Sequence, residues 1–279
     1  MAAEGSLPFD AVALDQAEKQ FWRGLWDAAC EDAVVDLGID MVEFGPVSAA
    51  VVAEEAAEPA LNFVLGAGAP GALEDGYLPA AVQWMERHDV DFRVPVIPGL
   101  PEQEAAERWL QRHRYRLLDG PVKLIRNGEP PRERSLPGIE IYERTDPWED
   151  ESFGDPLAES LGFPNWAATF FLDLPGSPDW HCYCAVDGDE PLAYVAMRFH
   201  QDVAVLALAS RLAGRREGLG QNAVLHRCIN DAVAAGCSMM VIAEAGSAPA
   251  LADRKSILGS GFRPIVATHT WQPRARVHL

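Results

Sequence analysis

The sequence predicts an α/β protein made of two similar halves, and three observations carry that prediction. Apolar runs of strand length alternate with amphipathic helical segments along most of the chain. At 279 residues the chain is too long for one small core and suits two domains of roughly 130–150 residues each. Near the middle lies "RNGEPPRERSLPG", residues 126 to 138, whose prolines and glycines cannot continue a helix or a central strand. The junction is placed there, giving domains of residues 1–130 and 131–279.

The second half reads element by element. "HCYCAVDGDEPLAYVAMRF" is two strand-like runs around a Gly-Asp turn, hence a hairpin. "VAVLALAS" is a buried strand. Residues 219 to 235 carry Leu225, Cys228, Ile229, Ala232 and Val233 at three-four spacing, one face of a helix, with Gly236 at the C-cap position. "SMMVIAEA" is a second buried strand, "PALADRKSIL" a short helix and "GFRPIVATHTW" a last strand. This order places parallel pairing at the centre of the sheet.

The first half reads as a faded copy. A helix around residues 13 to 29 precedes the strands "VSAAVVA" and "LNFVLG". A helix near 78 to 88, the strand "DFRVPVIP", a helix from 101 to 113 and the strand "PVKLIR" follow. The passages "RHRYRLLDG" and "LGSGFRPIV" fall at matching places in the two halves, as a tandem duplication would leave them.

Composition narrows the function classes. The formal net charge is −19 with a pI near 4.7, which argues against a nucleic-acid partner, since phosphate neutralisation needs clustered lysine and arginine. An acidic surface suits a cationic substrate such as an amine, or is simply well solvated. No apolar run has the length of a membrane span, and the first residues lack the basic start and apolar block of a signal peptide. Five cysteines, an odd number, point to reduced thiols and a cytoplasmic location. Cys182 and Cys184, with His181 beside them, have no second paired motif to complete a zinc site, so buried free thiols and no metal are expected.

Two glycine loops invite an anion. "GAGAPG", with Gly66, Gly68 and Gly71, matches the dinucleotide fingerprint in form. Pro70, Gly76 and Pro79 push any helix start away from it, however, and no acidic residue closes the next strand, so it is read as a turn. "RREGLGQNAVLH", residues 215 to 226, follows a buried strand and opens straight into an amphipathic helix. Gly218 and Gly220 bare the backbone at the helix mouth, where unpaired N–H groups and the macrodipole attract negative charge. Arg215 and Arg216 add cations. The other reading is a tight turn that holds no ligand.

The spacing Arg215-x-x-Gly218-x-Gly220 resembles the signature of the GCN5-related N-acetyltransferases. "LALASRLAGR" resembles the strand that receives the pantetheine arm in that family, and "AAGCSMMVIAEA" resembles the strand after it. "RKSILGSGFRPIVATHTW" resembles the closing helix, Gly-Phe turn and strand. The resemblance covers residues 138 to 279 in order, and the two-half layout is similar to a tandem subgroup with a degenerate N-terminal domain. It implies two tandem domains, each a mixed, strongly twisted sheet flanked by helices.

It also implies an acyl-CoA-dependent N-acyltransferase, with acetyl-CoA or another acyl-CoA as cosubstrate and a small-molecule amine as acceptor. No nucleic acid, membrane or metal is implied, and the protein would be a monomer or homodimer. The cofactor's pyrophosphate would lie on the N–H groups from Arg216 through Gln221, Leu219 included. Main-chain groups of Leu208, Ala209 and Ser210 would hold the pantetheine and the carbonyl.

Glu244, at the end of a buried strand, is the first candidate base or amine ligand, with a solvated carboxylate as the alternative. His200 is the second candidate. The family's usual general-acid tyrosine has no counterpart in "DRKSILGSGF". Arg254 falls where the subgroup has an aromatic and would stabilise the thiolate or contact the cofactor's phosphate or solvent; Ser256 falls where asparagine is usual. Trp180, Phe262 and Trp271 line an acceptor pocket or the core. The missing tyrosine keeps open a non-catalytic acyl-CoA- or metabolite-binding protein, or a transferase using a carrier-protein or aminoacyl-tRNA donor.

Overall fold

The computed structural model describes residues 9–59, 61–131, 138–146, 153–161, 163–210, 217–242 and 254–274. The chain divides into two compact units, and β5 (Tyr115–Asn127) and β11 (Arg263–Pro273) each contribute to both. The N-terminal unit comprises Ala11–Trp26, Cys30–Val122 and the segment from Val266; most of the other unit is Lys123–Ile265.

The N-terminal unit opens with α1 (Ala11–Asp27) and α2 (Glu31–Leu37), followed by β1 (Ile39–Phe44), β2 (Val47–Val52) and β3 (Phe63–Leu65) in an antiparallel sheet of that order. Next come α3 (Tyr77–Arg87), β4 (Val94–Val96) and α4 (Gln103–Arg112). Leu78, Ala81, Val82 and Met85 place one face of α3 in the core, at the three-four spacing the sequence shows. They pack with Val47, Ala49 and Val51 of β2, Val94 and Val96 of β4, Leu110 of α4 and Trp271. Each large side chain among these contributes roughly 1.5–3 kcal/mol by leaving water.

The C-terminal unit holds β6 (Glu140–Arg144), α5 (Gly154–Ser160), α6 (Thr169–Leu172), β7 (Trp180–Asp187), β8 (Glu190–His200), β9 (Val203–Ser210), α7 (Glu217–Ala234), β10 (Met239–Ile242) and α8 (Arg254–Gly259). Its strand order is β5-β10-β9-β8-β7-β6. β7 and β8 form the expected hairpin, turning at Gly188 with φ +60°. β9 and β10 pair in parallel, as the strand-helix-strand order requires, and α7 is the crossover between them. Gly236, with φ +85°, ends α7 as read from the sequence, its N–H donating to the Val233 carbonyl.

The order strand, strand, helix, strand, helix, strand occurs twice, as β2-β3-α3-β4-α4-β5 and as β8-β9-α7-β10-α8-β11. β5 begins six residues earlier than the run "PVKLIR" suggests and takes in Gly120. A Cβ at Gly120 would stand 2.0 Å from the Thr268 carbonyl oxygen, so the close approach of β5 to β11 needs a glycine.

Candidate functional site

The candidate site lies at the carboxyl end of β9 and the start of α7. The parallel ladder of β9 with β10 runs from Val203–Met239 to Leu206–Ile242. β9 runs on through Ala207, Leu208, Ala209 and Ser210, paired antiparallel with Ala196, Val195, Tyr194 and Ala193 of β8 in that order. In an antiparallel ladder only alternate residues bond to the partner, so the remaining backbone groups of this stretch face the β10 side. The stretch Leu208, Ala209 and Ser210 lies at the carboxyl end of β9, on the edge of the sheet where ligands collect in α/β folds. Their side chains are not described.

α7 opens at Glu217. The N-terminal end of this 18-residue helix carries the positive end of its dipole. Gly218 and the exposed Leu219 belong to that turn. Gly220 is buried against β8, where a Cβ would stand 2.4 Å from the Leu192 Cβ, so packing alone requires a glycine there. Gln221 is 1% exposed, and its Oε1 has no hydrogen-bond partner among the described residues. A buried carboxamide oxygen without a donor costs about 1–3 kcal/mol, and a donor from a ligand would recover it.

A chain of hydrogen bonds anchors this turn from behind. Asn222 donates from Nδ2 to the Gly218 carbonyl at 2.6 Å, and the Ser260 hydroxyl reaches Asn222 Oδ1 at 3.4 Å. The Ser260 carbonyl accepts from Arg126 Nε at 3.0 Å. Arg126 also donates to the carbonyls of Asn127 and Glu129, and its burial lowers the guanidinium's pKa. Nothing in the sequence pairs residues 126, 222 and 260, which lie far apart along the chain.

Of the other expected residues, Arg215, Arg216 and Glu244 lie outside the described residues. Arg254 is exposed at the start of α8. Ser256 lies in α8, with its side chain not described. His200 ends β8 opposite Val203. Cys182 and Cys184 are buried and free, burial pushes the Cys182 thiol up, and no metal-holding cluster occurs among the described residues. His181 is instead held to Glu143, 3.1 Å away. Trp180 lies under the Arg198 guanidinium, 5.7 Å from its ring centre, while Phe262 and Trp271 are buried.

"GAGAPG" is a turn closed by its own protein. Gly66 and Gly71 take positive φ, and α3 starts only at Tyr77. Glu102 fills the loop's donors, its carboxylate accepting from Gly71 N–H at 2.6 Å and Leu73 N–H at 2.7 Å. Sequence spacing did not reveal this carboxylate, which lies 31 residues away.

The fold as a whole occurs in proteins of known structure. A GCN5-related N-acetyltransferase from Kribbella flavida superposes with a TM-score of 0.61 over 98% of this chain and 97% of its own, at 14% identity. The fold is that of the GCN5-related N-acetyltransferases. A second such protein, from Sphaerobacter thermophilus, matches at TM-score 0.53 and 15% identity over 98% of this chain and 96% of its own. A tandem protein of this fold from the clavulanic acid biosynthesis pathway matches at 0.52 and 13% identity over 96% and 97%. No family model and no curated protein matches the chain at the level of sequence.

Proposed function

We propose that the protein is an acyl-CoA-dependent N-acyltransferase, most simply an acetyltransferase acting on a small amine. The observation that carries this reading is the step from β9 to α7: the carboxyl end of β9 is followed in the chain by the start of α7, where the buried Gln221 Oε1 has no hydrogen-bond partner among the described residues. In this reading Leu208, Ala209 and Ser210 hold the pantetheine arm. Arg215, Arg216 and the N–H groups through Gly218, Leu219, Gly220 and Gln221 hold the phosphates.

The acceptor amine, neutral when it attacks, forms the C–N bond at the thioester carbonyl, and the C–S bond breaks. Glu244 takes the proton lost by the amine, and the departing thiolate is met by Arg254 and then protonated. Ser256, also on α8, contacts the cofactor. The two-fold repeat of element order supports a tandem arrangement in which residues 131–279 carry the chemistry.

Incubation of the protein with acetyl-CoA and a panel of small amines, followed by measurement of free CoA thiol, tests turnover. Amine-dependent thiol release supports the transferase. Binding of acetyl-CoA with no release for any amine would favour the non-catalytic reading, and the absence of a family tyrosine on α8 gives that alternative its weight. Release only with a carrier-protein or aminoacyl-tRNA donor would change the donor and keep the fold.

A further inference from the structure

The N-terminal unit holds an open pocket of about 450 Å³, lined by none of the residues assigned to the acyl-CoA site. That volume lies within the range of small-molecule sites. Pro79, Gln83 and Glu86 line it from one stripe of α3, next to the stripe that faces the core. Trp109 and His113, one helical turn apart at the end of α4, and Tyr115 at the start of β5 complete the wall.

We infer that this pocket binds a small organic cation, an ammonium group carried on an apolar body. Its described lining contains one carboxylate, Glu86, and no lysine or arginine. The last turn of α3 and the end of α4 both contribute to it, and helix C-termini carry partial negative charge, which Arg87 and Arg112 in those same turns offset in part without lining the pocket. Aromatic side chains attract cations through their ring quadrupoles and cover apolar surface at the same time.

The aromatic walls make contacts within the protein. The His113 ring stacks on Trp109 with centroids 4.0 Å apart, and its Nδ1 lies 2.8 Å from the Trp109 carbonyl oxygen. The buried Tyr115 ring packs edge-on against Phe92, and its hydroxyl points to Glu86 Oε1 at 3.4 Å. That long contact turns one oxygen of the exposed Glu86 carboxylate toward the hydroxyl at the pocket wall.

The test is a ligand-observed NMR titration of the full chain with choline, alongside its uncharged isostere 3,3-dimethylbutan-1-ol at matched ionic strength. Saturable choline binding is expected, with the neutral isostere bound more weakly. Glu86→Gln is expected to weaken choline binding by roughly fivefold, the effect of one partly solvated charge. Glu104→Gln, which removes an exposed carboxylate paired with Arg108 elsewhere on α4, is expected to leave binding unchanged. Absence of saturable choline binding would overturn the inference. So would equal weakening by the two substitutions, which would mean that choline senses only the protein's net charge.

Discussion

Gly220 and Leu192 are packed so closely that a Cβ on the glycine would stand 2.4 Å from the leucine's Cβ. The second glycine of "RREGLG" therefore seats α7 on β8, whatever else it does. Gly220→Ala is expected to destabilise the fold by about 1–3 kcal/mol, the usual cost of overpacking, in spite of alanine's better helix propensity. A shift of the urea midpoint to lower concentration checks this, and an unchanged or higher midpoint would contradict the packing. Loss of cofactor binding in a bulky variant at this position reports misfolding first, so binding is better tested elsewhere.

Glu102 closes the "GAGAPG" loop with two charge-assisted hydrogen bonds. Glu102→Ala leaves the Gly71 and Leu73 N–H groups without their acceptor and is expected to cost about 2 kcal/mol. Chemical denaturation of the variant measures that loss directly.

Asp15 lies on α1 and is buried, with Gly66 N–H donating to it and Oδ2 unpaired among the described residues. Burial first, and the neighbouring Glu18 carboxylate to a lesser degree, raise its pKa from 3.8 to about 7, against an opposing pull from Lys19. The folded state thus holds a proton that the unfolded state releases, and stability falls as pH rises from about 4 to about 7, then levels off. The difference is on the order of 4 kcal/mol at most. Asp15→Asn is expected to flatten this dependence and to be more stable than the parent at pH 8. Parallel pH slopes for the two proteins would show that the carboxyl is solvated.

What the sequence made legible, and what it did not, follows from where each signal resides. α3 and α7 were readable because Leu78, Ala81, Val82 and Met85, or Val224, Leu225, Cys228, Ile229 and Ala232, repeat at helical spacing on a buried face. α2 was not, since it buries no residue and so has no apolar stripe, with Val35 78% exposed. β6 was missed for the same reason, as an edge strand with a largely exposed pattern next to the proline-rich stretch. The mouth of α7 was legible from two glycines and a strand-to-helix step. Its supports Asn222, Ser260 and Arg126 were not, because hydrogen bonds between distant residues leave no local period.

Thiol reactivity separates the cysteines. Cys30 is exposed, while Cys182, Cys184, Cys228 and Cys237 are buried, and burial pushes the Cys237 thiol up to about 11. A disulfide reagent at pH 8 is expected to label one thiol rapidly in the native protein and all five after denaturation. Rapid labelling of two or more would place a second thiol at the surface.

The mouth of α7 as an acyl-CoA phosphate site is the central claim, and a calorimetric titration with acetyl-CoA on the parent and on Arg216→Glu tests it most directly. Micromolar binding by the parent, weakened about tenfold or more in a variant with an unchanged urea midpoint, is the predicted result, since charge reversal at a helix mouth opposes a phosphate. Equal affinity in the two proteins, or no heat with the parent, would contradict it.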